Sequence, residues 1–260
     1  MIADDLLRQG DLDGARKALV EVVRSRPADQ EARMFLFQLL AIAGEWDKAR
    51  TQLATLASLS PEAQMLSVAY GQAIEAEKER ARIFAGQAEM PLLHQTEWAV
   101  PLAQSFGHHA RGETAEGDAA RDAAFDAAPD MPGSFNDEPF DWIADADARF
   151  GPSFEAIVNG RYGLMPFDAV ASIKSDGPRD LRDTIWFPVT LALKAGHSIA
   201  ALLPARYPGS ESSGDVAERL GRATNWRDTA AGPVGSGQHL LSLSSGEDHD
   251  LLSLRLLSFA

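Results

Sequence analysis

Apolar and small residues in the first half of the chain stand at helical spacing, and one set of them returns after 34 positions. The set and its return are Gly10, Ala15, Leu19 and Pro27, then Gly44, Ala49, Leu53 and Pro61. Glycine allows a tight turn between two helices, a small alanine lets them approach closely, and proline ends the second helix. The pattern therefore predicts pairs of antiparallel helices, one pair per repeat.

A helical period of 34 residues resembles the tetratricopeptide repeat. A third, weaker unit is indicated by Gly112 and Pro129, whose spacing of 17 matches that in the first two units. Gly117 stands there in place of the small alanine. Between the units, apolar positions predict one long helix over 61–86. We therefore expect residues 1–132 to form a TPR-like α-solenoid of about three units.

Such an array presents a concave face, formed mainly by the first helix of each pair. The repeat places on or near that face Leu7, Arg8, Met34, Gln38, Ile42, Phe106 and His109. The functional interpretation is a groove that binds a helix or an extended segment of a partner. The alternative is that Met34, Ile42 and Phe106 belong to the ordinary core between helices. We favour the core for each residue taken singly and the groove for the face as a whole.

After residue 132 the pattern changes to short apolar runs separated by Gly, Pro, Asp and Ser. An apolar stripe predicts one helix over 138–158. Strands are predicted over 169–173, 184–193, 198–203, 238–243 and 251–259. We therefore expect residues 133–260 to form a second, α+β domain with a mostly antiparallel sheet.

Smaller signals refine this second domain. Pro188 lies inside a predicted strand, which indicates an edge position or a bulge. The Ser/Gly-rich acidic turn after Leu243 predicts that the last two strands form a hairpin. Residues 207–214 are expected to form a loop with a mobile Ser/Gly tail, followed by a small helix near 216–222.

The charge of the chain excludes several classes of partner. The 24 basic and 38 acidic side chains give a net charge of -14, and no basic run exceeds two residues. Nucleic acids and anionic membranes bind clustered Lys and Arg, so we expect neither as a partner. The sequence contains no cysteine, which excludes disulfides and cysteine-based zinc sites. Without a secretory leader or an apolar stretch of about 20 residues, a cytoplasmic location is expected.

Catalytic motifs are also missing from the sequence. It lacks G-x-S-x-G, the phosphate-binding G-x-x-x-x-G-K-[ST] and H-E-x-x-H. Ser236 and His239 could be a nucleophile and a base, but we expect them to point apart at the edge of a strand. The six histidines form no ligand set. We therefore predict no catalytic residue, no bound metal and no cofactor.

The densest acidic cluster lies in the helix predicted over 138–158 and just before it, and comprises Asp137, Glu138, Asp141, Asp145 and Asp147. Helical spacing would put three of these carboxylates on one face, where they repel one another unless a cation or arginines offset them. A divalent metal site is one interpretation. The other, which we favour, is that the helix dipole stabilises the early carboxylates and that Asp145 faces Arg149.

Several segments together resemble one family. They are IADDLLRQGDLDGARKAL, FLFQLLAIAGEWDKARTQL, FDWIADADARFGPSFEAIVNGRYGLMPF, DLRDTIWFP and RYPGSE. The sequence is similar to the ImpE family, also called TagJ or SciE-type, of accessory proteins of bacterial type VI secretion. The most specific motif residues are Trp142, Asp145, Asp147, Asn159, Arg161, Tyr162, Arg206, Tyr207, Pro208, Gly209 and Glu211.

The resemblance implies a non-enzymatic cytoplasmic adaptor. Family members are associated with the contractile sheath and bind its small subunit, and some also bind ClpV, the AAA+ ATPase that disassembles contracted sheaths. Two other functions stay open at this point: a generic repeat scaffold outside secretion, and a hydrolase or metal-dependent enzyme that uses the acidic cluster.

Two roles are conceivable for the motifs of the second domain. In the first, Arg161 and Arg206 pair with the carboxylates of residues 141–147 and attach the predicted helix to the sheet. In the second, Tyr207, Trp186 and Trp226 offer exposed aromatic surface to a partner. We favour the structural role.

Overall fold

The computed structural model describes residues 2–230 and 232–260. Its first part is helical, with seven helices in succession: α1 (Ile2–Arg8), α2 (Leu12–Ser25), α3 (Gln30–Ile42), α4 (Trp46–Leu59), α5 (Pro61–Phe84), α6 (Ala99–Ala110) and α7 (Thr114–Ala127). The pairs α1–α2, α3–α4 and α6–α7 pack as hairpins, and α5 packs along α4. The helical array and the long helix predicted over 61–86 are therefore both present.

The turns inside the three pairs depend on glycine. Gly10, Gly44 and Gly112 have φ angles of +81°, +68° and +78°, a left-handed conformation that other residues adopt only at a cost. Ala15 and Ala49, the small residues of the first two units, are fully buried. The 34-residue period in the sequence thus reflects the turns and the close helix contacts of the array.

In the third unit, glycine replaces alanine because a neighbouring histidine fills the space. A Cβ atom built on Gly117 would lie 2.3 Å from Cδ2 of His109 on the facing helix. Nε2 of the same histidine ring lies 3.1 Å from Oδ1 of Asp118. The departure from the repeat pattern therefore accommodates a large side chain across the helix pair.

The second part is built mainly from short strands. Its elements are β1 (Gly133–Phe135), β2 (Glu138–Phe140), β3 (Ile143–Asp145), β4 (Ser153–Val158), β5 (Arg161–Pro166), β6 (Val170–Lys174), β7 (Trp186–Leu193), β8 (Ser198–Pro204), the helix α8 (Val216–Arg219), β9 (Thr224–Thr229), β10 (Gly232–Gly237), β11 (Leu240–Leu243), β12 (Asp248–Asp250) and β13 (Leu256–Phe259).

Eight of these strands form one antiparallel sheet in the order β2-β1-β13-β6-β7-β8-β4-β5. A smaller antiparallel sheet has the order β12-β11-β3, and β9 pairs with β10 as a separate ribbon. This confirms the predicted α+β character with an antiparallel sheet.

Each face of the large sheet meets its own hydrophobic core. One core joins the helices to the sheet and runs from Phe37 and Ile74 to Trp186 and Tyr207. The other fills the space between the large and small sheets and includes Phe154. Because the first core is continuous across residue 132, the array and the strands pack as one body. The boundary at 132 stays a prediction.

The prediction of a helix over 138–158 is wrong. This segment forms β2, β3 and β4 instead, and Pro139 and the Gly151 turn interrupt any helix there. In β4, Ile157 belongs to one core and Phe154 to the other, so apolar side chains cover both faces of the strand. A strand buried on both faces lacks strict alternation, and a short apolar run can then imitate a helical stripe.

The predicted hairpin of the last two strands is also wrong. The acidic turn after Leu243 joins β11 to β12, whereas β13 pairs with β1 and β6 in the large sheet. Pro188 lies in β7, which is an interior strand rather than an edge. The pairing of β7 with β6 begins only at Thr190, and the Pro188 carbonyl accepts a bond from Ser175 Oγ (2.9 Å) beyond it. The missing N–H of Pro188 therefore removes no hydrogen bond between β7 and β6.

Three local features of the last third of the chain can be compared with the sequence. The small helix predicted near 216–222 is α8. The loop over 207–214 contains a 3-10 turn at Ser210–Ser212, and Ser210 is fully buried. The sequence does not predict the β9–β10 ribbon, because β9 is polar and exposed and β10 is glycine-rich, so neither strand carries an apolar alternation.

Within the described residues, no helix is both long enough and apolar enough to cross a membrane.

Candidate functional site

The concave face of α3 is covered by the protein's own strands. The indole of Trp186, at the start of β7, is fully buried and stacks on Phe37 with ring centroids 6.5 Å apart. It also packs against Tyr70 (5.5 Å) and Trp46 (5.8 Å). These four rings fill the space that a partner helix would need on this part of the array.

The predicted groove residues are consequently not presented as one surface. Gln38, Ile42 and Phe106 are buried within the protein. Met34 Sδ lies 3.8 Å from a guanidinium nitrogen of Arg182, which belongs to the segment before β7. The three other positions are more open: Leu7 and His109 are half-buried, and Arg8 is exposed and paired with Asp5.

A chain of buried ionisable groups lies behind this aromatic cluster. Arg80, on α5, binds the Glu155 carboxylate of β4 through Nε (2.7 Å) and Nη2 (2.6 Å). His239 then bridges two carboxylates, since Nε2 donates to Glu155 (3.0 Å) and Nδ1 donates to Asp145 (2.6 Å). The Tyr207 hydroxyl donates to the other oxygen of Asp145 (2.8 Å). We call these five residues the buried network.

In the buried network the basic groups of Arg80 and His239 alternate with the carboxyl groups of Glu155 and Asp145. Burial nevertheless raises the pKa of Asp145, since the contacts with His239 offset only part of its effect. Burial lowers the pKa of His239, but the Asp145 and Glu155 carboxylates outweigh that effect and raise it to about 9. Burial also disfavours the Glu155 carboxylate, yet the Arg80 guanidinium and His239 hold its pKa well below the usual range. His239 is therefore an imidazolium at neutral pH. It serves as a structural cation between two strands.

Neighbouring polar groups attach the network to both parts of the protein. Trp186 donates its indole N–H to Glu77 on α5 (3.1 Å), and Tyr162 donates its hydroxyl to Glu155. Arg206 donates to the Ile42 carbonyl at the end of α3 (3.1 Å). Helices α3 and α5 are thereby bonded to the strands by buried polar groups.

The predicted pairing of Arg161 and Arg206 with the acidic cluster is wrong. Arg161 is exposed after the β4–β5 turn, and Arg206 binds the carbonyl groups of Ile42 and Arg219. The Asp145–Arg149 contact is wrong as well, because Arg149 pairs with Asp147 (2.6 Å). Both expectations assumed a helix over 138–158, and strands place the carboxylates differently.

The other motif residues have visible structural roles, except Trp142, whose exposure (44%) nothing in the structure explains. Asn159 and Gly160 both have positive φ angles (51° and 75°), as a two-residue hairpin turn between β4 and β5 requires. Gly209 is also left-handed (φ +84°). Glu211 packs against Gly44, where a side chain would meet its Cγ at 2.7 Å.

Part of the RYPGSE motif also lines a cleft beside the buried network. The cleft encloses about 370 Å³ between α5 and this motif. Its walls include Trp46, Arg80, Phe84, Arg149, Pro208 and Glu211. Arg149 is held there by Asp147 and lies 5.5 Å from the Phe84 ring centroid.

The suspected Ser–His pair does not exist. Ser236 donates its hydroxyl to Glu218, while both ring nitrogens of His239 face carboxylates of the buried network. The second proposed role of the motifs, an exposed aromatic surface, fits Trp226 only, since Tyr207 and Trp186 are fully buried.

Sequence reasoning missed Arg80 and Glu155 of the buried network and the neighbouring Glu77. Glu77 and Arg80 are separated by three positions and share a face of α5 with Phe84, a spacing that also occurs on solvated helices. Glu77 and Arg80 differ from such a solvated pair only because their face of α5 points into the protein. That direction depends on the strands that cover the helix.

Fold and site together define a tetratricopeptide-type array bonded through a buried polar network to an α+β domain. The tetratricopeptide repeat model matches residues 6–83, and the model described as ImpE protein matches residues 137–258. The type VI secretion system accessory component TagJ of Pseudomonas aeruginosa is 46% identical over 260 residues, which cover 100% of this chain and 91% of that protein.

The chain belongs to the ImpE/TagJ family of type VI secretion accessory proteins. The resemblance inferred from the motifs is thus confirmed. The crystal structure of a protein from Vibrio parahaemolyticus has the same fold, with a TM-score of 0.87 and 21% identity over 100% of this chain and 98% of that one.

Proposed function

We propose that this protein is a non-enzymatic, cytoplasmic adaptor of type VI secretion that binds a helical segment of the sheath small subunit. Full-length similarity to an accessory component named for that system supports the secretion role. The repeat array supports a role in protein binding, because stacked helix pairs offer extended surfaces to partners.

An open cleft beside the first half of α5 is the observation that carries the proposal. It encloses about 330 Å³ between one side of α5 and the large sheet. Its walls include Ala69, Tyr70 and Gln72 on the helix and Pro188, Ala200 and Leu202 on the sheet. We call it the α5 cleft.

Two exposed apolar side chains extend the helical wall of the α5 cleft. Met65 is 82% exposed and Val68 is 63% exposed. They lie seven and four positions before Gln72, so all three share one stripe of the helix. A large apolar side chain that is left in water next to an apolar cleft is typical of an interaction surface.

The chemistry of this surface suits an amphipathic helix. Such a helix can place apolar side chains at i, i+3 and i+7 into a groove of this kind. Methionine is flexible and adapts to different partner shapes. The proposed surface therefore differs from the groove expected on α3, which Trp186 already occupies.

The test is calorimetric titration of the purified sheath small subunit into the full chain. We expect saturable binding at micromolar concentrations or below, and at least a tenfold loss of affinity in a Met65→Glu/Val68→Glu variant. Ile2→Glu is the matched control, because Ile2 is 73% exposed on a helix far along the chain from α5.

Other outcomes would change the assignment. Unchanged affinity in the double variant would place the partner elsewhere, and loss of affinity in Ile2→Glu would indicate the first helix pair. If the folded protein binds no sheath subunit, the secretion adaptor proposal is wrong and a generic repeat scaffold takes its place. A separate titration with ClpV decides whether this family member also contacts the ATPase.

A further inference from the structure

Three potential metal ligands meet where the large and small sheets approach each other. Glu138 lies in β2, Glu247 in the turn between β11 and β12, and His249 in β12. One ligand atom from each lies within 4.8 Å of the other two. The sequence gives no sign of this arrangement, because Glu138 is more than a hundred positions from the other two residues.

A second observation concerns the imidazole itself. The Nε2 atom of His249 is buried and makes no hydrogen bond to any described group. It lies 3.2 Å from Oε2 of Glu138, which is close enough for attraction but does not have hydrogen-bond geometry. A buried polar atom without a hydrogen-bond partner is costly. A ligand between the two atoms would remove that cost.

The carboxylate is already oriented toward this position. Oε1 of Glu138 accepts a hydrogen bond from Ser245 Oγ (3.2 Å), so Oε2 is the oxygen that faces His249. Hydrogen bonds that hold the ligand groups of a metal ion in place are typical of metal centres. On the other side, the imidazole ring packs on Phe135 with centroids 4.9 Å apart.

Distances and donor types agree with a transition-metal ion. Zinc bonds of about 2.0–2.2 Å at tetrahedral angles place neighbouring ligand atoms roughly 3.4 Å apart, and the Glu138–His249 separation is 3.2 Å. Imidazole together with carboxylates suits zinc and similar ions, whereas calcium and magnesium prefer oxygen ligands throughout. Glu247 is exposed in a turn, so its flexible side chain can complete the set.

Charge gives a further reason for a cation. Glu138 and Glu247 bring two like charges together in a protein whose net charge is already -14. A divalent ion neutralises both carboxylates.

We propose that Glu138, Glu247 and His249 form a binding site for a divalent transition-metal ion of the zinc type. Bound there, the ion fastens edge strand β2 of the large sheet to the β11–β12 hairpin of the small sheet. Three protein ligands leave one position of a tetrahedral ion for water or another donor.

The experiment uses the untagged full chain, stripped of metal with a chelator and then titrated with zinc chloride by calorimetry. We expect one ion per chain, a rise in melting temperature with zinc, and at least a roughly tenfold weaker affinity in His249→Gln and in Glu138→Gln. His197→Gln is the control, since His197 is an exposed turn histidine in the β7–β8 hairpin.

Cobalt provides a readout that does not depend on stability. Absorption bands of tetrahedral cobalt should appear with the wild-type protein and with His197→Gln, and should be absent with His249→Gln. The proposal is wrong if the stripped protein binds neither ion, or if His249→Gln binds zinc as tightly as the wild type. The latter result would mean that zinc binds elsewhere and that His249 and Glu138 form a simple ion pair.

Discussion

The two halves of α5 show opposite arrangements of polar and apolar residues. In the first half, Met65 and Val68 face water. In the second half, Glu77 and Arg80 are buried between the array and the strands. One continuous helix therefore exposes apolar groups at one end and buries charges at the other.

The two ends differ because the rest of the chain covers the second half of α5 and leaves the first half open. Arg80 faces Glu155 and the Arg206 carbonyl, so its charge and donors are satisfied without water. Met65 and Val68 extend the helical wall of the α5 cleft, and no described part of the chain covers them. We therefore expect substitutions at the buried end to lower the free energy of unfolding strongly. Substitutions at the open end should change it little.

The largest expected effect comes from Arg80→Ala. The variant leaves the Glu155 carboxylate buried without its main counter-charge, and removing one partner of a buried pair destabilises a protein by about 3–5 kcal/mol. We expect a loss in this range in the free energy of unfolding, measured by urea denaturation at pH 7.

Arg82→Ala is the matched control for that experiment. Arg82 lies two positions away on the same helix, and its ion pair with Glu79 is exposed, so the expected change is below about 0.5 kcal/mol. If both variants lose the same small amount, the buried network does not hold the two parts together and the contrast within α5 disappears.

The second prediction concerns alkaline pH. The pKa of His239 is raised from 6.5 to about 9 on folding, so its contribution is complete below pH 6.5 and is lost as the pH rises through about 9. The shift corresponds to roughly 3 kcal/mol at most. The free energy of unfolding of the wild type should therefore fall between pH 6.5 and 9.

His239→Gln tests the assignment of that fall. Glutamine does not titrate, so the variant should be less stable at pH 6 and should lack the His239 part of the decline toward pH 9. Below about pH 4.5 both proteins should lose stability, because the lowered pKa of Glu155 makes its contribution disappear as the pH falls. An identical alkaline decline in the variant would rule out His239 as its source.

The smallest expected effect on stability belongs to the α5 cleft. Met65→Glu/Val68→Glu changes side chains that are already in water, so the melting temperature should shift by less than about 2 °C, the equivalent of roughly half a kcal/mol. Differential scanning calorimetry without partner gives this value. A large loss would mean that the two side chains stabilise the fold, and their exposure would then no longer support a binding role.

Periodicity predicted the helical half of the molecule well and the other half less well. The turn glycines and close-packed alanines have local causes, so Gly10, Gly44, Ala15 and Ala49 announce their roles by spacing alone. In the second half, the run around β4 is buried on both faces, so its pattern imitates a helix. The helix-dipole interpretation of the acidic cluster is wrong for the same reason, because no helix forms over 138–158.

The candidate site was less predictable than the fold. The motif residues were recognised, but their partners were not, because Arg80 and His239 approach Glu155 from segments 75 and 84 positions away in the chain. Spacing within one segment carries no information about such meetings. Nor could it indicate that Trp186 would fill the face of α3 where a groove was expected.

Neighbouring residues were enough to predict the repeat array, the antiparallel α+β character of the second part and the ImpE/TagJ family, because helix turns, close helix contacts and family motifs are local patterns in the chain. The tertiary structure decided which surfaces stay open and which charges are buried. A charge or an apolar side chain acquires its role from what packs against it. In this protein that neighbour comes from the other half of the chain.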